Sequence, residues 1–349
     1  MRLEDLDYTL PDELIAQHPA ARREDARLLV LERSTGALHD TSVSRIGDWL
    51  RRGDVLALNE TRVRPARLFV QRETGGKVEL LFVRPEVAGS GHEAVEHWRV
   101  LAKPAKSASP GAVLRTPSGS LALEVLTARE QGERLVRVAH GDLHATLAAE
   151  GGIPLPPYIR RAPDASDVER YQTVFARVDG AVASPTAGLH FTDALLAELA
   201  AKGVDQARLL LHVGPGTFRP VTADDPTQHH MDEEWFEVTS EAAARLNAAR
   251  AAGGRIVVVG TTAVRALESA CDANAGVIAT ASGWTSKFIH PPYAFRAVDA
   301  LLTNFHLPRT TLLLLVAALA GEANLKAAYA HAVLARYRFY SYGDAMLVV

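Results

Sequence analysis

The chain has 349 residues, 48% of them hydrophobic and 23% charged, with a formal charge of −3 and one cysteine, Cys271. This is a soluble globular composition, with length for one large or two modest domains and no bulk charge pointing to nucleic acid. A lone cysteine excludes an intrachain disulfide or a cysteine zinc cluster and fits a reducing cytoplasm, and the acidic opening MRLEDLDYTLPDEL is not expected to be a signal peptide.

Residues 11–16 read as a short helix. ARLLVLERSTGALHD reads as a hairpin turning at Ser34-Thr35-Gly36. RIGDWLRRGDVLALNET then gives a short helix and a buried strand over 55–58. From 62 to about 140 the texture changes. ARLFVQRETGGKVELLFVR is a hairpin around Thr74-Gly75-Gly76, and HWRVLAK, AVLRT, LALEVLT and RLVRVA follow as short strands. Regular short strands separated by Pro, Gly and Ser predict a small all-β sandwich or barrel. Residues 61–140 also hold 13 Lys/Arg against 8 Asp/Glu, a net of +5 inside an acidic chain. Such a segment is either a footprint for phosphate or a charged β-surface.

From Asp142 onward helices and strands alternate: HATLAAEG, DALLAELAAKG, QARLLLHVG, EEWFEV, SEAAARLNAARAAGG, RIVVVG, TAVRALESA. That is the rhythm of an α/β domain with buried strands. The expected fold class is therefore α/β. A larger α/β domain is built from both chain ends, residues 1–60 and 141–349, and a barrel-like β-domain, residues 61–140, is inserted.

TNFHLPRTTLLLLVAALAG, residues 303–321, holds the most apolar run. A bilayer requires about 20 apolar residues in a row, and this run is too short, so a buried helix is expected and no membrane partner. Thr310 or Thr311 suits its N-cap and Gly321 its stop. Asn304 and His306 then stand just before a helix N-terminus, where N–H groups and partial positive charge favour polar ligands. SPTAGLHFTDALL repeats the pattern: Thr192 is the expected N-cap and His190 precedes it. GRIVVVGTTAVRALES is a strand, a turn and a helix without a nucleotide fingerprint. LLHVGPGTFRP ends a strand in a glycine turn that is either a ligand approach or a plain tight turn. QHHMDEEW gathers His229, His230, Asp232, Glu233 and Glu234. The spacing favours a solvated loop over a metal site, and no metal site is expected. Arg62, Arg64, Arg67 and Lys77 lie near one domain junction, and Tyr158, Arg160, Arg161 and RYQT near the other. Arg suits phosphate and Tyr suits base stacking.

Taken in order, LNETRVRPARL, TGGKVELL, PLPPYIRR, RYQTVFA, PTAGLHFT, LHVGPGTFRPV, GTTAVRALES, SGWT, LLTNFHLPRTTLL and RFYSYGDAM closely resemble the S-adenosylmethionine:tRNA ribosyltransferase-isomerase family of queuosine biosynthesis, over essentially the whole chain. The sequence departs from the family pattern at Asp232, where a second His is usual, at Ala263 and Thr310, where Ser is common, and at Pro292, where Gly is common. The resemblance implies transfer and isomerisation of the ribosyl part of S-adenosylmethionine onto 7-aminomethyl-7-deazaguanine at the tRNA wobble position. It implies epoxyqueuosine-tRNA, adenine and methionine as products, and an α/β domain plus a barrel-like one. S-adenosylmethionine is consumed as a substrate and no further cofactor is implied. The partners implied are tRNA and S-adenosylmethionine, with no obligate protein partner, in the cytoplasm.

Such chemistry needs a base for the ribose C5′–H beside the sulfonium, an acid for departing adenine, and donors for developing oxygen charge. His190 and His306 are the leading acid–base candidates because imidazole titrates near neutrality. Glu234 and Glu268 are weaker ones. Candidates for substrate binding are Asn59, Thr61, Arg62, Lys77, Tyr171, Gln172, Thr186, Gly188, Gly214, Gly216, Thr217, Thr261, Thr262, Arg265, Asn304 and Arg309. Two rival readings are a tRNA-binding protein without chemistry and a nucleotide enzyme that never touches RNA.

Overall fold

The computed structural model describes residues 3–88, 95–218, 229–271 and 276–349. A nine-stranded sheet runs in the order Ala281–Thr285, Glu234–Val238, Asp205–Leu211, Val55–Asn59, Ile256–Val259, Ala300–Asn304, Ala345–Val348, Arg27–Leu31, Leu38–Ser42. Its centre is parallel: Val55–Asn59 pairs with Asp205–Leu211 on one side and Ile256–Val259 on the other, and the latter pairs with Ala300–Asn304. The antiparallel strands lie toward the margins.

The central strands are mostly apolar because both faces are covered, and Asn59, Thr303 and Asn304 are polar residues at the carboxyl ends of two of them. Val55 and Ala57 join one core with Leu246, Leu267 and Leu313, from the helices Ser240–Ala251, Thr261–Cys271 and Thr311–Ala320. Leu56 and Leu58 join the other with Ile46, Leu195 and Leu199, from the 3-10 segment Val43–Trp49 and the helix Asp193–Ala201. The two-residue period of a strand divides one hydrophobic run between two cores.

The barrel is closed and six-stranded, in the order Glu133–His140, Val95–Lys103, Lys77–Ala88, Arg67–Arg72, Val113–Arg115, Ala122–Ala128. Leu68, Val70, Leu80, Phe82, Trp98 and Val136 fill it. Its pairings are all antiparallel, so the α/β body with a barrel matches the fold class read from the sequence. Much of its charge is neutralised internally. Arg99 and Arg129 pair with Glu86, Arg137 with Glu124, and Arg134 donates to the carbonyls of Ala105 and Ala108. Arg64 donates to the carbonyls of Phe82 and Val83 and stacks on Trp98. The net excess of +5 already counts these glutamates, and within it Arg64 and Arg134 are turned to backbone carbonyls rather than to an open surface.

Residues 11–16 form only the 3-10 turn Asp12–Leu14, after which Ile15 bridges to Phe339. The apolar run forms the helix Thr311–Ala320, buried except at Ala318 and capped by the Thr310 hydroxyl, which accepts the Leu313 N–H. Gly321, at φ 84°, ends it, and Glu322–Leu334 leaves at 117°. A positive φ is inexpensive for glycine and strained for other residues. Among the described residues no single helix is long and apolar enough to cross a membrane.

Candidate active site

Three cavities run side by side along residues 182–187 and 213–215, near the carboxyl ends of the central parallel strands. Open α/β sheets place their ligands at such strand ends. The first is a tight cleft of about 30 Å³ lined by Ser184, Thr186, Gly260, Thr261, Thr262, Thr303, Asn304, His306, Tyr340 and Ser341. The second is a cavity of about 790 Å³ whose lining includes Arg67, Leu81 and Lys103 from the barrel and Pro154, Arg161 and Ala183 from the α/β body. The third is a crevice of about 290 Å³ around His212, Gly214 and Trp284.

Asn304, the last residue of its strand, organises the cleft. Its Oδ1 accepts from the Thr186 hydroxyl at 2.8 Å. Its Nδ2 donates to the Tyr340 carbonyl and to His190 Nε2, both at 3.2 Å. Tyr340 itself is held at φ 72°, a left-handed conformation that costs a non-glycine residue about 1–3 kcal/mol. Strain of this kind beside a cleft marks a turn fixed by its surroundings. Tyr158 stacks on Tyr340 with centroids 4.0 Å apart, and its hydroxyl meets that of Ser341.

His306 lies in the same cleft, buried at 7% exposure. Its Nε2 bonds the Thr303 hydroxyl at 2.7 Å, and its backbone N–H donates to Tyr329 Oη at 3.0 Å. The Tyr8 hydroxyl donates to its carbonyl. Burial lowers its pKa from 6.5 to about 3. His190 is lowered to about 4, by burial first and then by the Arg338 and Arg23 charges. Both rings are therefore neutral at pH 7. A neutral imidazole can accept a proton or donate one N–H, but does not arrive as a general acid. Burial therefore leaves each ring unprotonated at pH 7, able to donate one N–H and to accept a proton as a weakened base.

His190 faces its own small cavity with Arg23, Arg170 and Tyr342 and is linked to the cleft through Asn304. Glu234 and Arg265 form a buried ion pair, and Glu234 Oε1 also accepts the Gly214 N–H at 2.7 Å. The pair ties the glycine turn to the helix that starts at Thr261. Glu268 is turned elsewhere. It accepts from Tyr293 Oη at 2.9 Å and from the backbone N–H groups of Arg296 and Ala297, so its carboxylate fixes that loop.

Several binding candidates also serve the frame. Asn59 exchanges bonds with the backbone of Leu211, and Gln172 clamps both backbone groups of Val63. Thr61 orients His212 through a 2.8 Å bond to Nδ1. Tyr171 is fully buried against Tyr342. A Cβ on Gly188 would lie 2.7 Å from Phe175, and one on Gly216 would lie 2.0 Å from the Asp232 carboxylate. Both glycines are therefore sites of close packing. Arg62, Lys77 and Arg309 are exposed and do not line the cleft. The Thr217 side chain lies outside the described residues, as does part of the GPGTFRPV motif. Among the described residues no group of three or more His, Cys, Asp or Glu side chains converges as a metal site would require.

A profile described as queuosine biosynthesis protein matches residues 3–348. The chain belongs to the queuosine biosynthesis protein family. It is 51% identical over its whole length to the S-adenosylmethionine:tRNA ribosyltransferase-isomerase of Anaeromyxobacter sp. (strain Fw109-5), covering 99% of that protein. It is 49% identical to the protein of the same name from Symbiobacterium thermophilum, with both chains covered completely. A crystal structure of S-adenosylmethionine tRNA ribosyltransferase from Thermotoga maritima aligns with 99% of this chain and all of its own, at 34% identity and a TM-score of 0.56.

In this queuosine biosynthesis protein the motifs meet where sequence order alone could not bring them. Residues 184–187, 260–262, 303–306 and 340–341 come from four separate segments. Ser184, Tyr340 and Ser341 were not singled out in the sequence, although they stand inside quoted motifs. Their available signal was a small residue in each turn, SPT and YSYG. His212 and Trp284 were likewise missed, although they stand inside the quoted motifs LHVGPGTFRPV and SGWT.

Proposed function

We propose that the protein transfers and isomerises the ribosyl part of S-adenosylmethionine onto 7-aminomethyl-7-deazaguanine at the wobble position of tRNA, releasing adenine and methionine. The observation that carries this reading is the cleft in which Thr186, Thr261, Thr262, Asn304 and His306 meet, in a chain whose full-length relatives bear that enzyme's name. The reacting ribosyl carbons belong against His306, whose neutral ring is suited to accept the C5′ proton. The start of the Thr261 helix supplies N–H groups and partial positive charge for developing oxygen charge. The tight cleft alone is too small for S-adenosylmethionine, because pockets for such ligands have roughly 300–1,000 Å³. The rest of that substrate therefore extends into the neighbouring cavities.

S-adenosylmethionine is a consumed substrate in this scheme and no other cofactor takes part. The RNA approaches the junction of barrel and α/β body, and the enzyme works in the cytoplasm, where tRNA resides. Incubation with S-adenosylmethionine and tRNA carrying the modified base should release adenine in proportion to RNA. Binding of that tRNA without adenine release would favour a non-catalytic RNA-binding role.

A further inference from the structure

The crevice beside the reaction cleft draws its walls from both domains, and the leading acid–base candidates, His190 and His306, do not line it; Glu234, paired with Arg265, stands at its inner end. Trp284 stands in the marginal strand Ala281–Thr285 and is 49% exposed. Its cross-strand partner Trp235 braces it edge-on, with centroids 5.7 Å apart and planes at 75°. Arg84, from the barrel strand Lys77–Ala88, lays its guanidinium 4.4 Å from the Trp284 ring centroid and reaches Glu233 at 3.5 Å. A planar cation thus already lies on an indole face that opens into a cavity. Asp179 and Glu233, both exposed, line the same crevice. Its floor includes His212, which packs so closely on Gly180 that a Cβ there would lie 2.4 Å from the ring. The crevice shares Val213 with the reaction cleft and continues to Gly214 and Glu234.

These features select one kind of ligand. A braced, half-exposed indole offers stacking to any planar heterocycle, and a nucleobase is suited to take the face that Arg84 holds. The two carboxylates narrow the choice. A guanine-type edge presents N1–H and an exocyclic amino group, two donors side by side, and carboxylate oxygens accept both. Adenine and the pyrimidines lack that pair. A cationic aminomethyl arm would be favoured by the same negative wall.

We propose that this crevice takes the everted guanine-type base of the RNA substrate, stacked on Trp284 with its donor edge toward Asp179 and Glu233. Arg84 swings from the indole to the flanking phosphate. The shared wall at Val213 then directs the base's reactive arm toward the cleft. This inference rests on the proposed function, since the tRNA substrate is what brings such a base. Enzymes that act on a base remove it from its stack, and the crevice supplies the surface that replaces the lost stacking.

The test is binding of a fluorescent anticodon stem-loop with 7-aminomethyl-7-deazaguanine at the wobble position, followed by anisotropy. It needs no turnover, so it tests the crevice even where no adenine is released, and adenine release by the unaltered enzyme tests the proposed function separately. Trp284→Ala should weaken binding roughly tenfold to hundredfold, and Trp284→Phe should stay within about threefold of the parent. The KM for S-adenosylmethionine should not change. Asp179→Asn, on an exposed position, should reduce the preference for the modified stem-loop over one with adenine at the wobble position. Parent-like stem-loop affinity in folded Trp284→Ala would overturn the stacking site. If Trp284→Ala does not fold, Asp179→Asn decides, and an unaltered preference there would overturn the proposal.

Discussion

Asn304 donates its side-chain amide to Nε2 of His190 at 3.2 Å, joining two residues 114 positions apart in the chain. The same amide accepts from Thr186 and donates to the Tyr340 carbonyl, so one side chain sets the relative position of three segments. Replacing it by Ala leaves buried polar groups unpartnered, which costs about 1–3 kcal/mol. Asn304→Ala should lower the melting midpoint and reduce kcat together. Thr186→Val removes one of these bonds, leaves only Asn304 Oδ1 short of its donor and should cost less than Asn304→Ala, at the low end of that range. Parent-like stability and kcat in Asn304→Ala would show that the segments hold their places without it.

Acid should destabilise the fold through the two buried histidines. Their folded pKa values, about 3 for His306 and about 4 for His190, lie below the free value of 6.5. The unfolded chain therefore takes up protons that the folded chain refuses. Their contribution is intact above about pH 6.5 and is lost as pH falls toward the folded values, by about 1.4 kcal/mol per pH unit for each ring. Urea denaturation at about pH 7 and about pH 5 reads this loss, and His306→Gln should make it shallower. An unchanged slope would mean that His306 does not remain neutral in the folded protein.

RNA affinity should fall with salt, because each phosphate contact releases counterions. Arg62 and Lys77 are exposed near the junction, whereas Arg64 is engaged with two carbonyls and Trp98. Replacing Arg62 and Lys77 together should lower the salt slope by about 0.7–0.9 per lost contact, with S-adenosylmethionine binding intact. Arg64→Ala should lower stability and leave the slope alone. The reverse pattern would move the RNA surface away from Arg62 and Lys77.

The sequence made the elements legible more readily than their functions. The period-2 strands of the barrel, the buried strand around Leu56 and the caps at Thr192 and Thr310 follow from local rules, and all stand where those rules put them. The cleft was half legible. His306 and Asn304 were visible as polar residues ahead of an apolar helix, but their meeting with Thr186 and Tyr340 depends on strand order, which no local pattern encodes. The same limit explains Glu268. A carboxylate on a helix after a candidate turn looks available until the loop at Arg296 and Ala297 folds over it. Net charge left the choice between phosphate footprint and charged surface open for a related reason, since Arg64 and Arg134 turn to backbone carbonyls that no local pattern marks.

Glu234 and Arg265 should behave as one unit. Both are buried, at 4% and 2% exposure, so removing one takes its charge partner from the other. Breaking such a pair costs about 3–5 kcal/mol. Glu234→Ala and Arg265→Ala should each destabilise the fold by that order, and the double variant should lose less than the sum. Chemical denaturation of the four proteins reads the coupling. Additive losses would show that the ion pair contributes nothing beyond its separate packing.

His306 is the sharper test of chemistry. Its ring is held by Thr303, and its backbone separately by Tyr329 and Tyr8, so His306→Ala removes the imidazole while the backbone anchors remain. As the base, its loss should lower kcat by roughly 10²-fold or more and move the melting midpoint little. As a packing residue only, its loss should cost about 1–3 kcal/mol of stability and leave turnover of the folded enzyme near normal. Thr303→Val separates positioning from chemistry, because it removes the 2.7 Å partner and leaves the ring in place. That variant should lower kcat less than His306→Ala and shift the pH profile, since the ring's remaining bonds decide which nitrogen carries the proton. Measuring kcat, its pH dependence and the melting midpoint on the same preparations decides among these outcomes. Near-normal kcat in folded His306→Ala would transfer the base role to His190, which would then have to act through a rearrangement of Asn304.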